Sequence, residues 1–237
     1  MHPTRSVSPE VLKSLRQFDS CTISNAIERF DVRTRNEGFV NGSVRCIFPE
    51  LGSRIGYAVT ARIRTSSTPI GGRCYYDHAD WWTYVHSMPA PRFLVVQDVD
   101  DVPGLGALYG GIHANISKAL NCVAFLTNGA VRDLPEILET GMQSFAGNIA
   151  VSHAYAHIVQ FGEPVDIGGL RINPGDLLHG DRHGVVCVPF SVVEELPKVA
   201  AQTLEREKEL LDVCRSPGFS MEKLTDMFQR TRNWTTK

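Results

Sequence analysis

A chain of 237 residues with 43% hydrophobic content carries enough apolar side chains for a substantial core. A formal net charge of −2 and the lack of any long basic run argue against nucleic acid or an anionic membrane surface as a partner. No apolar stretch approaches the roughly 18 to 20 residues of a membrane span, and the opening MHPTRSVSPE has no signal-peptide core, so the expectation is a soluble, cytoplasmic protein.

In chain order, Val11, Leu12, Leu15 and Phe18 recur at helical spacing, and Ser8 and Pro9 supply a cap and first turn, which predicts a helix over 9–18. A second short helix is expected over 24–30, followed by a polar, glycine-dotted loop over 31–51. Residues 55–65 alternate apolar and polar side chains through Val59, Ala61 and Ile63, the mark of a half-buried strand. The segment 75–86 holds Asp77, His78, Asp80, Trp81 and Trp82; its aromatics are better suited to packing a helix on the sheet than its acids are to gathering a metal. A buried strand at 93–96 leads into the glycine-rich turn Gly104-Leu105-Gly106, a helix over 112–120 and a second buried strand at 123–127, together one crossover unit with its working loops at the strands' carboxyl ends.

Beyond Asn128-Gly129 and Arg132-Asp133, a helix over 134–140 closes at Gly141, and 143–150 returns as one strand. From Gly162 the composition turns to short strands and tight turns, ending in a hairpin at 181–188. Residues 191–213 form the longest amphipathic helix, with a charged face that is solvated or reaches a neighbouring subunit. The whole is expected to be one domain over 1–237, with a core of about 12–210 and a helical tail over 211–237.

Several motifs fail on inspection. The third glycine of a dinucleotide fingerprint is Tyr109, and Asn128 stands where its acidic residue would be. No phosphate-binding Gly-Lys-Ser/Thr and no GxSxG elbow is present. His153 and His157, like His179 and His183, have metal-binding helical spacing outside any expected helix, and are taken as polar loop histidines. The six cysteines (21, 46, 74, 122, 187, 214) are scattered without a CxxC pair and are expected to be buried, reduced thiols. What remains is a helix start, whose unpaired amides and dipole attract anions, and about twenty residues later an arginine and a hard carboxylate past a strand end.

Gly110-Gly111, Ala114, Ala119, the block Asn128-Gly129-Ala130-Val131-Arg132-Asp133, Pro174-Gly175-Asp176, Asp181 and the run from Gly184 to Pro189 together resemble the RraA-like family, which includes 4-hydroxy-4-methyl-2-oxoglutarate aldolase and oxaloacetate decarboxylase. The resemblance covers roughly 12–210 and implies a swivelling β/β/α fold similar to the phosphohistidine domain of pyruvate phosphate dikinase. It also implies homotrimers or homohexamers with active sites between subunits. In the lyase branch a 2-oxo acid is cleaved or decarboxylated through a pyruvate-type enolate. By that resemblance Asp133 ligates Mg²⁺ or Mn²⁺ partly through waters, Arg132 binds the oxo and carboxylate oxygens, and the backbone at Gly110, Gly111, Ile112 and His113 holds the carboxylate. Chemistry agrees, since a Lewis acid and a guanidinium both stabilise an enolate and no Schiff-base lysine is needed.

This chain departs from the pattern in having Gly111 where an acidic residue is common, Asn128 for aspartate and His183 for another aspartate. His113 is the candidate to supply proton transfer, and Glu207, with Glu205 and Glu209 as competitors, is the candidate glutamate reaching a neighbouring site. The family's namesake branch binds and inhibits ribonuclease E, so a non-catalytic regulator is the alternative to a lyase. A related lyase or isomerase acting on a larger substrate, accommodated by the aromatics of 75–84, is a third possibility.

Overall fold

The computed structural model describes residues 6–69 and 79–232. Two short helices, α1 (Pro9–Leu15) and α2 (Ser20–Glu28), precede the small strand β1 (Arg45–Cys46) and a 3-10 turn at Pro49–Leu51. Then follow β2 (Arg54–Arg64), α3 (Ala79–Ser87), β3 (Arg92–Asp98), α4 (Gly111–Ala119), β4 (Cys122–Thr127), β5 (Ala130–Val131) and α5 (Leu134–Thr140). The second half holds β6 (Gln143–Ala146), β7 (Asn148–Ile149), β8 (His157–Phe161), β9 (Val165–Ile167), β10 (Leu170–Ile172), β11 (Leu177–Asp181), β12 (Gly184–Val188), α6 (Leu196–Arg215) and α7 (Met221–Arg232).

The main sheet runs β1-β6-β4-β3-β2-β11-β12, with β8 also paired to β2. Strands β2, β3, β4 and β6 are parallel to one another, and β1, β8 and β11 join antiparallel. Side chains alternate across this sheet and so feed two cores. Val59, Ala61, Leu94 and Val96 face α3, α4 and α5, while Ile55, Tyr57, Leu177 and Val186 on the same side face α1, α2 and α6. The opposite parity, Ala58, Phe93, Val95, Leu126 and Phe145, is covered by the β9–β10 hairpin through Val165, Ile167 and Ile172. Helices on one face and a hairpin on the other make the expected α/β fold of β/β/α type.

Coverage on both faces corrects the expectation for β2. It is buried almost continuously from Ile55 to Ala61 rather than on one side, because a central parallel strand has no solvent face. The expected single strand over 143–150 is two pieces in different sheets, broken at Gly147, whose missing Cβ would lie 2.4 Å from the Asn128 carbonyl oxygen. The loop over 31–51 contains β1, which pairs with β6, and a bridge from Phe39 to Val186. The hairpin begins at Leu177 and turns at Arg182-His183.

Helix α2 starts at Ser20, ahead of the expected Ser24, because Asp19 caps it: the Asp19 carboxylate accepts from Thr22 N at 2.7 Å. Asp181 reinforces that end, accepting from Ser20 N at 3.0 Å and from His183 N at 2.9 Å. This clamp gives Asp181 and His183 a structural task, joining α2 to the β11–β12 turn. Arg92, 7% exposed, donates to the carbonyls of His86 (2.6 Å), Met88 (2.8 Å) and Leu120 (2.5 Å), placing a cation at the C-terminal ends of α3 and α4.

The histidines and cysteines also depart from expectation. His179 is fully buried on β11, with Nδ1 3.0 Å from Ser20 Oγ, and is a core residue rather than a loop one. His157 opens β8 and is likewise buried, whereas His153 lies in the preceding loop. Of the cysteines only Cys122 is buried, Cys46 and Cys187 are half-buried, Cys21 and Cys214 are exposed, and Cys74 lies outside the described residues.

Burial pushes the His179 imidazole down from 6.5 to about 4, against the opposing pull of Asp181 and of the Leu15 and Phe18 carbonyls. Its folded value is therefore depressed, so its stabilisation is complete above pH 6.5 and is lost as pH falls through about 4. A His179→Gln variant should remove that acid-side slope, which is worth about 3 kcal/mol over the whole window. Urea midpoints followed by tryptophan fluorescence at pH 7, 5.5 and 4.5 test this; equal slopes for the variant and the parent would show that His179 protonates freely in the fold.

Candidate functional site

The chain between β3 and α4 is an irregular loop held by one acid. Asp98, 1% exposed, accepts from Gly104 N at 2.8 Å and from Asp100 N at 3.1 Å. Burial raises its carboxyl pKa, and those two amides pull it back. Asn128, just past β4, accepts from Asp98 N at 2.7 Å and donates to Asp98 O at 2.9 Å. The carboxamide both accepts and donates here; an ionised aspartate would lose the donor and set a second carboxylate beside Asp98.

The loop returns at Tyr109, whose ring stacks on Phe125 with centroids 3.9 Å apart. Its backbone bridges Val131 in the parallel sense, and Arg132 N donates to Tyr109 O at 3.1 Å. That pairing sets Gly110 beside Arg132-Asp133 at the carboxyl end of the parallel strands, where open α/β sheets form their sites.

Asp133 adopts left-handed backbone angles, φ 51° and ψ 50°, at the N-cap of α5, yet its side chain does not cap that helix. Aspartate is among the few non-glycine residues that tolerate this conformation. The carboxylate instead turns to the preceding helix, α4: Oδ2 accepts from Gly111 N at 3.2 Å and from Arg132 Nε at 3.3 Å. Helix α4 has no side-chain cap of its own at Gly110. Gly110 is extended, so the need for glycine is spatial: a Cβ there would lie 2.6 Å from Asp133 Oδ2 and 3.0 Å from Arg132 Cγ. A Cβ on Gly111 would lie 2.8 Å from Glu136 Cβ. The starts of α4 and α5, both positive ends of helix dipoles, therefore converge with one guanidinium and one carboxylate in a partly exposed position suited to an anionic ligand.

Of the residues singled out in the sequence, Gly110, Gly111, Arg132 and Asp133 are brought together. Ile112 is exposed at the mouth of α4. His113 packs its ring 5.7 Å from Trp82 and 6.5 Å from Tyr109, so it borders the helix start on the α3 side. Glu207 stands apart, on α6 in the other helical group, where its Oε1 accepts from Asn25 Nδ2 at 3.3 Å; Glu205 and Glu209 are exposed on the same helix. In the aromatic segment Trp81 is buried against Phe161, Asp80 is exposed, and residues 75–78 lie outside the described residues. Sequence reasoning missed Asp98, whose part in the loop shows only through its burial and the two amides that it accepts from.

Among the described residues no group of three or more His, Cys, Asp or Glu side chains gathers to hold a metal. A cleft of about 500 Å³ elsewhere is lined by Gln17, Asp19, Thr22, Asp181, Arg182 and His183. Its two acids are already committed to the α2 clamp, so it is a weaker candidate.

A β/β/α chain with a glycine helix start facing an Arg-Asp pair is the architecture of one class of proteins. The chain belongs to the RraA-like family, described as Aldolase/RraA, whose model matches residues 20–187. Protein DlpA of Legionella pneumophila is 22% identical over 231 residues, which is 95% of this chain and 35% of that protein. A Halalkalibacterium halodurans protein named "Putative 4-hydroxy-4-methyl-2-oxoglutarate aldolase" is 27% identical over 123 residues, 50% of this chain and 59% of its own. The chain thus spans about a third and somewhat over half of these two relatives. The crystal structure of Streptomyces coelicolor RraAS2, titled as an unusual member of the RNase ES inhibitor RraA family, superposes with a TM-score of 0.67 at 20% identity, covering 87% of this chain and 98% of that one. At that identity the likeness concerns the fold. No helix among the described residues is long and apolar enough to cross a membrane.

The closeness of Gly110 to Asp133 is testable without any ligand. Gly110→Ala should destabilise the protein by about 1–3 kcal/mol, as overpacking does, whereas Gly42→Ala, with nothing within 4 Å of the added Cβ, should change little. Thermal denaturation of the two variants side by side decides it; equal midpoints would mean that Asp133 does not approach α4.

Proposed function

We propose that the chain is a divalent-cation-dependent carbon-carbon lyase acting on a small 2-oxo acid, by retro-aldol cleavage of a 4-hydroxy-2-oxo acid, by decarboxylation of oxaloacetate, or by both. The observation that carries this is the left-handed Asp133, whose carboxylate leaves its own helix to face the amide-lined start of α4 beside Arg132. Membership of a family described as Aldolase/RraA and the name of the H. halodurans relative support it.

A small hard cation fits these residues. Asp133 offers a carboxylate, and the missing side chain of Gly110 lets that carboxylate lie against the start of α4. Asp133 would hold Mg²⁺ or Mn²⁺, with waters completing the shell. Such an ion supplies Lewis-acid stabilisation of a developing oxyanion and acidifies a bound water.

The chain's own groups do the rest. The substrate carboxylate is received by the amides at the start of α4, around Ile112 and His113, where the helix dipole favours negative charge. Arg132 lies against the substrate's 2-oxo oxygen. As the C3–C4 bond breaks, its electron pair moves into C2–C3 and the charge onto that oxygen, and the guanidinium is already in place to meet it. For oxaloacetate CO₂ departs; for a 4-hydroxy acid the hydroxyl proton passes to His113 or a bound water and a carbonyl compound departs. Protonation at C3 then gives the 2-oxo acid product, with His113 or a bound water as donor.

We further infer a homo-oligomer, a trimer or hexamer, because the loops beside the site expose Val102, Leu105, Ile149, Val151 and Tyr155. These loops are tied to each other by the bond from Ala107 N to Ser152 O, and Ala150 N bonds to Val131 O two residues before Asp133, so they present an apolar surface on the side of the site. That surface, and the inhibitor family named for the S. coelicolor protein, also favour a second reading, a protein-binding regulator without chemistry.

Coupled detection of pyruvate from oxaloacetate with Mg²⁺ or Mn²⁺ separates the two. The lyase should release pyruvate in a chelator-sensitive way, and Arg132→Ala should lower kcat/KM by about 10²–10³, the usual cost of removing an oxyanion donor. No release from oxaloacetate or from a panel of 4-hydroxy-2-oxo acids with either metal would leave the regulator as the better account.

A further inference from the structure

Helices α3, α4 and α5 all begin at one end of the main sheet, because each follows a strand of the parallel set. Helix α4 stands between the other two. Its start meets Asp133 at the head of α5, and His113, in its first turn, meets Trp82, in the first turn of α3, with ring centroids 5.7 Å apart. Trp81 is buried against Phe161 and anchors α3, whereas Trp82 is half-buried beside the α4 start.

This arrangement bears on where the rest of a substrate goes. C2 of a 2-oxo acid is trigonal, so its carboxylate, its oxo oxygen and C3 point three ways in one plane. With the carboxylate on the amides of Ile112 and His113 and the oxo oxygen on Arg132, at the α5 side, C3 and the groups on C4 point to the α3 side. We infer that Trp82 forms the far wall of the substrate site and determines its specificity: the substrate is a 4-hydroxy-2-oxo acid with an apolar, above all aromatic, group on C4.

The charges around that wall favour such a group over a second carboxylate. Ala61 and Ile63 of β2 face the helices, so the alternating Arg62 and Arg64 leave by the opposite face. There Arg62 donates to Gln160 Oε1 at 2.8 Å and to Pro164 O, and Arg64 lies 3.8 Å from Asp100 Oδ1. Arg92 and Lys118 sit at the C-terminal ends of α3 and α4, away from the helix starts. The charged residue in the first turn of α3 is an exposed acid, Asp80. Among the described residues, a carboxylate on C4 would therefore meet an acid and an indole, while an aryl group would stack on the indole and leave no polar group unpaired. Cleavage gives pyruvate and an aryl aldehyde: the C4 hydroxyl proton leaves, C3 regains a proton, and no other reactant is consumed.

The inference rests on the lyase reading and is tested by comparing substrates on the full-length protein with Mg²⁺, following pyruvate release from 4-hydroxy-2-oxo acids that carry phenyl, methyl or carboxylate on C4. The parent protein should favour the phenyl substrate over both others by about tenfold or more in kcat/KM, the usual scale of discrimination by an apolar pocket. Trp82→Ala should bring the phenyl-to-methyl ratio close to one, chiefly through KM, and Trp82→Phe, which keeps a ring, should preserve most of the preference. A ratio cancels any general loss from a poorly folded variant, and the preference of the parent needs no variant at all. Turnover of the methyl or carboxylate substrate as fast as the phenyl one overturns the assignment while the lyase reading stands, as does a Trp82→Ala variant that slows every substrate equally. No pyruvate from any of the three, nor from oxaloacetate, overturns both.

Discussion

Everything around the candidate site depends on one backbone choice, the left-handed turn at Asp133. In ordinary helical or extended angles an aspartate ahead of Leu134-Pro135 would cap α5, as Asp19 caps α2. Held at φ 51°, it gives up that bond and caps the neighbouring helix from outside. Such a conformation costs of order 1 kcal/mol for a non-glycine residue and persists only where the surroundings over-determine it. Here they do so from two sides: the Tyr109–Val131 bridge fixes the chain just before the turn, and Ile137 N, bonded to Asp133 O, fixes it just after.

The bridge itself has a foundation in buried polar pairing. Asn128 closes two hydrogen bonds on the backbone of Asp98, and Asp98 in turn closes two on the following loop. Asp98 is buried and Asn128 half-buried, so an unmade bond at Asp98 would cost about 1–3 kcal/mol, more than the pair gains when made. That asymmetry selects a loop path rather than merely stabilising one. It delivers Tyr109 to Val131 and Gly110 to the Arg132 side chain, a contact between residues some twenty positions apart that no local preference could specify.

Sequence reasoning was reliable where structure is local. The helix expected over 9–18 is present as 9–15, that over 112–120 as 111–119 and that over 134–140 as expected, and the crossover from β3 to β4 and the Gly141 terminus follow from spacing and punctuation alone. It weakened where a residue's meaning depends on what covers it. Alternation in 55–65 promised a strand with one wet face, but the β9–β10 hairpin lies over that face. His179, indistinguishable in sequence from His183, is buried because α2 packs over β11, while His183 four residues later sits in the turn. Arg132 and Asp133 were legible as a pair through their block of neighbours. Asp98 was not, because its part arises only when the loop after β3 folds back onto its carboxylate.

The charge arrangement bears on what the place can do. Two helix starts and a guanidinium suit an anion, and alone they would serve a carboxylate-binding surface of any purpose. Aspartate at the centre of such a surface works against it, since a carboxylate ligand would approach a fixed carboxylate a few ångströms away. The conflict disappears if a divalent cation is held between the two anions, which then share it. The same composition, positive dipoles and Arg132 on one side and Asp133 on the other, is the division of charge that the proposed reaction calls for, while the bonds of Asp133 to Gly111 N and Arg132 Nε give it a structural task in either reading.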